Sequence, residues 1–188
     1  MSKFERKIIS LLKRDSLRQQ ALDCVFNLNL PDSYIAAGFI RNLVWDYLHK
    51  NTISTPLNDI DVIYFDRDVT NSNRDQSLED NLTRQMPTLK WQVRNQADMH
   101  ERNGDRPYKN CTDAMGYWPE KETAVAVRKV KGGEFECITA FGYESLFNLQ
   151  LTHNPKRPVE IFNQRIQSKN WLSLWPNLTI TGGLNLTK

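Results

Sequence analysis

Two aspartates at the mouth of an apolar strand constrain this chain more than any other stretch. Residues 56–66 read PLNDIDVIYFD. Ile60, Val62, Ile63, Tyr64 and Phe65 are strand formers, so the pattern predicts a strand over Asp59–Phe65. Successive strand side chains point to opposite faces. Asp59 and Asp61 therefore share one face, roughly 7 Å apart, while Ile60 and Val62 face a core. Two like charges facing one space raise each other's pKa unless a cation lies between them. A hard divalent cation such as Mg²⁺ binds through one or two carboxylates together with substrate phosphates. A bare Asp-x-Asp also suits a solvated strand end, so its meaning rests on its neighbours.

The neighbour that matters lies upstream, in SYIAAGFIRNLVWDYLHK. Tyr34–Ala37 reads as a short strand and Gly38 as a turn. From Phe39 the apolar spacing becomes helical through Ile40, Leu43, Val44, Tyr47 and Leu48. A helix start offers unpaired N–H groups and a positive dipole end, which together seat a phosphate. Gly38 lets an anion approach the backbone closely. Arg41, in the first turn, carries a fork of donors for phosphate oxygens. It also fits a surface pairing with Asp46. Asn42 suits a ribose hydroxyl or a loop contact.

The rest of the chain supplies a frame. Phe4, Ile8, Leu11 and Leu12 mark one amphipathic helix. Leu17, Ala21, Cys24, Val25 and Leu28 mark a second, with Ser16 and Gln19 as a capping box. Arg67–Arg74 reads as a polar loop. Leu78, Leu82 and Met86 suggest a helix closed by Pro87, and Lys90–Asn95 alternates as a strand. HERNGDRPYKN, residues 100–110, is a long polar segment. Residues 124–130 and 134–138 form a β-hairpin around Gly132-Gly133. Tyr143–Leu151 reads as a helix, and Pro158 opens a last one through Trp171 that ends at Pro176. The expected architecture is a single α+β domain over residues 1–188, a mixed β-sheet flanked by helices. N-terminal helices (1–30) precede the sheet and its helices (31–140), and a C-terminal helical segment (141–188) follows.

Composition removes several classes. Apolar residues are 39% and charged residues 25%, with a net charge of +3. That is an ordinary globular balance and too mild for a dedicated nucleic-acid binder. No run reaches membrane-spanning length, and the charged N-terminus lacks a signal-peptide core, so a cytoplasmic location is expected. Cys24, Cys111 and Cys137 are scattered and odd in number, which supports neither a zinc site nor a disulfide framework.

Taken together, AAGFIRN followed by NDIDVIYFD resembles the nucleotidyltransferase fold of the DNA polymerase β superfamily. The likeness is closer to a small bacterial nucleotidyltransferase-like family. It extends through WQVRNQADMHERNG, PYKNCTDAMGYWPEKETAVAVR and KNWLSLWPNLTI, nearly the whole length. The resemblance implies that Asp59 and Asp61 hold Mg²⁺ against a nucleoside triphosphate, and that Gly38, Arg41 and Asn42 position it. It implies in-line transfer of a nucleoside monophosphate with release of pyrophosphate. The acceptor stays open among a small molecule, a protein hydroxyl and an RNA end. The superfamily commonly has a third carboxylate on a later strand, here Lys90–Asn95, which carries no acid. Asp98, just beyond it, is the candidate for that role, with Asn95 and Glu136 as alternatives. His100 and the basic loop residues Arg102, Arg106 and Lys109, with Tyr108, are candidates for acceptor contacts. Trp118, Trp171 and Trp175 read as packing residues. With the third acid missing, the alternative is a non-catalytic nucleotide or RNA binder on the same fold. A phosphohydrolase using the same two aspartates is a further reading.

Overall fold

The computed structural model describes residues 1–68 and 73–183. Residues 69–72 of the expected Arg67–Arg74 loop, and 184–188 of the expected C-terminal segment, lie outside the described residues. Helix α1 (Lys3–Leu12) opens with a reciprocal cap, Ser2 accepting from the Glu5 amide and Glu5 accepting from the Ser2 amide. Helix α2 (Ser16–Asn27) is capped by Asp15, which accepts from the Arg18 amide at 2.9 Å. The expected Ser16–Gln19 box does not form: the cap falls one residue earlier, on Asp15, and Arg18 at the third helical position has no acceptor to return the bond. Arg18, 1% exposed, donates to the Phe39 carbonyl at 2.8 Å and ties α2 to the helix that carries Arg41.

Strand β1 (Tyr34–Ala36) leads into α3 (Gly38–Leu48), then β2 (Ile60–Tyr64), α4 (Arg74–Gln85) and β3 (Trp91–Asn95). The chain continues through α5 (Met99–Asn103), α6 (Cys111–Met115) and a 3₁₀ turn at Lys121–Thr123. The expected hairpin follows, as β4 (Val125–Lys129) and β5 (Phe135–Thr139). These strands form one mixed sheet in the order β3-β2-β1-β4-β5. β1 runs antiparallel to β2 and β4, whereas β2 and β3 are parallel. The outer edge of β3 is blunted by α4: the Val93 and Asn95 amides donate to Glu79 and Asp75. An open row of strand donors is thereby closed to edge-to-edge pairing.

The two sheet faces differ in side-chain size. Ile35, Ile60, Val62, Val93 and Val127 join Ile8, Leu22, Phe39 and Val44 in the main core. The opposite face carries Tyr34, Ala36, Ile63 and Ala126, packed with Cys111 and Met115. Ala36 lies in register with both Asp61 and Ala126. Small side chains beside Asp61 leave its face open instead of filled, and this sets the position of the site.

The C-terminal segment departs from the all-helical expectation. Helix α7 covers only Glu144–Phe147, and Leu149, at φ 54°, turns the chain into β6 (Gln150–Thr152). The last helix breaks at Asn170, which is left-handed at φ 56°, giving α8 (Val159–Lys169) and α9 (Trp171–Leu174). Strand β7 (Thr179–Thr181) then pairs in parallel with β6. The polar segment after residue 98 begins as α5 and becomes a loop at Gly104. Trp171 and Trp175 anchor this segment, packing edge-on against Trp45 of α3 at centroid distances of 6.4 and 5.1 Å. The indole N–H of Trp175 donates to Asp46 at 2.9 Å.

Candidate active site

The β1–α3 junction is built under strain. Ala37, the residue before the helix, has φ 53° and ψ −121°, a conformation that L residues rarely adopt. Such positions cost about 1–3 kcal/mol and cluster at functional sites. Ala37 is held by its amide on the Val125 carbonyl at 2.9 Å. Its own carbonyl accepts from Ile40 and Arg41, so the Gly38 and Phe39 amides stand at the open helix start. A Cβ built on Gly38 would lie 3.4 Å from Arg41 Nη2 and 3.6 Å from the Asn42 amide atoms. Glycine therefore keeps clear the space under these two side chains.

Arg41 is the unusual group here. It is 7% exposed, and its guanidinium carbon lies 4.6 Å from the Trp171 ring centroid and 5.2 Å from that of Trp45. Nη2 donates to Asn42 Oδ1 at 3.0 Å, while Nε has no partner. The surface pairing with Asp46 does not form, because Asp46 is taken up by Asn51, Thr55 and Trp175. Burial draws the pKa of Arg41 down to about 10, against the pull of Glu120. Among the described residues Arg41 has no ion-pair partner, so its desolvation is compensated only in part, and a bound anion would offset the remainder.

Asp61 lies in β2, and Asp59 lies just before it. Burial raises the pKa of Asp61 above the ordinary carboxylate value; Arg41 opposes this and Asp59 adds to it. Gly38, Arg41, Asn42, Asp59 and Asp61 all line one cavity, floored by Trp171 and Trp175. A second, larger cavity of about 330 Å³ shares Asp59, Asp61, Thr123, Arg165 and Lys169 with the first. The two are lobes of one cleft that meets at the aspartate pair. From the aspartates the smaller lobe extends to Gly38, Arg41 and Asn42 of α3, and the larger one to Gln92 and Arg94 of β3 and Met99 and Asn103 of α5.

Asp98 is not brought to the pair. It is exposed at the start of α5, accepts from Asn95 Nδ2 at 3.3 Å, and lies outside both lobes. β2 and β3 are parallel and in register Asp61 to Gln92, so the residue beside Asp61 on the same face is a carboxamide. Asn95 is consumed by the Asp66 and Ala97 backbone, and Glu136 pairs with Arg128 across the hairpin. Among the described residues, no three His, Cys, Asp or Glu side chains are gathered in a way that could hold a metal ion. His100 is bonded to the Ala97 carbonyl at 2.8 Å, Arg106 is paired with Asp113, and Tyr108 is buried with its hydroxyl on Asp105. Of these three, Tyr108 also lines the larger lobe. Trp118 lines the larger lobe beside Asn103 and Tyr108.

Two cations in the cleft escaped the sequence reading. Arg165 and Lys169, one turn apart on α8, line both lobes. Arg165 is paired with Glu120, which is fully buried and also accepts from Thr123 at 2.7 Å. The signal was the i, i+4 spacing of two cations on one helix face, which is indistinguishable from a solvated face until α9 docks.

The two carboxylates and the Gln92 amide are hard oxygen donors on one face, a set that fits Mg²⁺. Beside them stand a helix N-terminus, a buried guanidinium and two further cations, which suit a polyphosphate. Among the described residues, no helix is long and apolar enough to cross a membrane. Among solved structures, the chain is similar to an NMR structure described as revealing a CCA-adding enzyme head domain. The two share 30% identity over 95% of each chain, with a TM-score of 0.83. It is also similar to a complex of a CCA-adding enzyme with CTP, at 15% identity and a TM-score of 0.53, over 92% of this chain and 43% of that one. An apo tRNA-processing enzyme gives 13% identity and a TM-score of 0.51, over 91% and 44%. In the last two the likeness is one of fold alone, and the chain spans less than half their length. None of the curated proteins matches the chain. A nucleotidyltransferase family model matches residues 23–180, and the protein belongs to that family.

Proposed function

We propose that the protein transfers a nucleoside monophosphate from a nucleoside triphosphate to an acceptor hydroxyl, releasing pyrophosphate, with Mg²⁺ held by Asp59 and Asp61. The observation that carries this reading is the meeting of Gly38, Arg41 and Asn42 with Asp59 and Asp61 around one cavity. Mg²⁺ held there supplies charge stabilisation at the transferred phosphoryl group. The chain's own residues bind and orient. The Gly38 and Phe39 amides and the Arg41 fork take the β- and γ-phosphates. Arg41 is fixed by its aromatic floor, so little side-chain entropy is lost on binding. Asn42 holds the guanidinium orientation through its 3.0 Å bond. Lys169, exposed at the junction of the lobes, adds screened attraction. Catalysis of this kind rests on placement and charge.

The likeness to CCA-adding enzymes supports an RNA end as one acceptor. A small molecule and a protein hydroxyl are the other arms of the test. A cytoplasmic location belongs to the same reading, because a triphosphate donor is an intracellular metabolite. One observation favours a second reading, a non-catalytic nucleotide binder: the neutral Gln92 stands where a third carboxylate would lie beside Asp61.

Calorimetric titration of the four nucleoside triphosphates with and without Mg²⁺, followed by a pyrophosphate-release assay with candidate acceptors, tests both. Metal-dependent binding with acceptor-dependent release is expected. Binding without release for every acceptor would favour the second reading. Triphosphate breakdown without acceptor would indicate a hydrolase. Absence of metal-dependent binding would overturn the site itself.

A further inference from the structure

The larger lobe has no assigned occupant, and its chemistry differs from that of the phosphate lobe. It is bounded by Gln92 and Gln96 of the β3 region, Met99 and Asn103 of α5, and the rings of Tyr108 and Trp118. Three carboxamides thus face one space with aromatic surface beside them. The backbone of Gln92 belongs to the β2–β3 ladder, and its side chain makes no hydrogen bond to another described residue. Asn103 donates to the Tyr108 hydroxyl at 3.3 Å and keeps its carbonyl oxygen free, and Gln96 donates to the Arg94 carbonyl at 3.2 Å. Carboxamides offer donors and acceptors at once, as needed for hydroxyls and base edges. Of the cations lining this lobe, Arg94 is paired with Glu79 and Arg165 with Glu120, while Lys169 stands exposed where the two lobes meet. Among the described residues that line this lobe, a phosphate would have Lys169 alone as an unpaired positive partner, at the junction with the phosphate lobe.

Stereochemistry links the lobe to the reaction. In-line displacement puts the attacking oxygen opposite the leaving group. With pyrophosphate on the Arg41 side of the aspartates, the acceptor hydroxyl must arrive from the β3 side. A cavity of about 330 Å³ lies at the small end of ligand sites and suits one ring system with its hydroxyls.

Building on the proposed transferase reading, we infer that the β3–α5 lobe is the acceptor subsite. We infer that it takes an uncharged, hydroxyl-bearing ring, a nucleoside or a sugar, with its hydroxyl toward Asp59 and Asp61. That ring is either a free small molecule or the terminal nucleoside of an RNA whose phosphates stay outside the lobe.

The test uses the full chain with Mg²⁺ and a non-hydrolysable α,β-methylene triphosphate. Ligand-observed NMR reads the binding of cytidine, adenosine, glucose, a trinucleotide RNA, cytidine 5′-monophosphate and an aminoglycoside. At least one neutral ring, free or as the RNA terminus, is expected to bind saturably. Its affinity should fall tenfold or more in both Asn103→Trp, which fills the lobe, and Trp118→Ala, which removes a wall. Thermal denaturation of each variant confirms folding, and Asn103 is exposed enough to accept the larger ring. Binding of free cytidine, adenosine or glucose identifies a small-molecule acceptor, whereas binding of the trinucleotide alone identifies an RNA end. If nothing in the panel binds, if the monophosphate or aminoglycoside binds tighter than every neutral ring, or if neither variant weakens binding, the inference falls. Arg41→Ala separates the two claims. Triphosphate-analogue binding insensitive to it would break the transferase reading while leaving a ring site standing.

Discussion

Among the described residues, the buried guanidinium on the α3 flank of Asp61 has no ion-pair partner, whereas Arg94 on the β3 flank and Arg165, which lines both lobes, are paired. Arg41, 7% exposed with a bare Nε, feels the charges of Glu120 and Asp61 without pairing with either, and a bound anion would offset the rest of its desolvation cost. Arg94 and Arg165 have met theirs, in Glu79 and Glu120, and the surface they leave is made of amides and rings. One strand thus divides a place for charge from a place for hydrogen bonds. The difference shows that the functional polarity of a cleft is set less by which cations line it than by which of them remain unpaired.

The comparison can be broken most decisively at the strand itself. Asp59→Asn and Asp61→Asn should each remove metal-dependent triphosphate binding. In calorimetry the loss should exceed the roughly 10–100-fold that removing an outer partner costs a metal site. Parent-like affinity in both variants would show that the aspartates do not serve the α3 flank. Next in size is Arg41→Ala. A charged hydrogen bond contributes about 1.5–3 kcal/mol, so triphosphate affinity should fall about 10- to 100-fold, with a smaller loss for the monophosphate. Equal losses for both nucleotides would remove Arg41 from the β/γ position. Lys169→Ala sharpens the comparison more gently. An exposed lysine at the junction should contribute a few-fold at low salt and almost nothing at high ionic strength, read from the salt dependence of Kd.

The smallest effect concerns stability. Burial and Asp59 raise the pKa of Asp61, so its ionised form costs the metal-free fold. That cost is absent below the ordinary carboxylate range and complete once pH exceeds the raised value. Asp61→Asn should therefore raise Tm by a few degrees near neutral pH without Mg²⁺. The gain should fade as pH drops through that window. A fall in Tm at neutral pH would mean that Asp61 is stabilised by its cationic neighbours and is not waiting for a metal.

Much of the α3 flank was legible because its signals are local. The switch from strand to helix period at Gly38, the first-turn Arg41 and the alternation of Asp59 and Asp61 all lie within 30 residues and follow from backbone geometry alone. The strain at Ala37 was not legible, because no residue type announces it. The β3 flank was half legible. The absence of an acid in Lys90–Asn95 was visible, but only the parallel register identified Gln92 as the neighbour of Asp61. Asp98 seemed the nearest substitute by sequence distance, yet the turn after β3 carries it to an exposed helix start. Arg165 and Lys169 come from more than 100 residues downstream of the strand. Their place depends on Trp171 and Trp175 docking against Trp45, a long-range packing event. The same segment hid β6 and β7, three residues each, because strands that short are specified by their partners and not by their own pattern.

The most direct measurement is the Mg²⁺ dependence of triphosphate affinity in the parent protein and in Arg41→Ala, set against Asp61→Asn. A single cleft predicts that Mg²⁺ tightens binding in the parent, that Arg41→Ala weakens binding at every Mg²⁺ concentration, and that Asp61→Asn abolishes the Mg²⁺ response. Triphosphate affinity that ignores both substitutions would contradict the meeting of helix start and aspartate strand on one ligand.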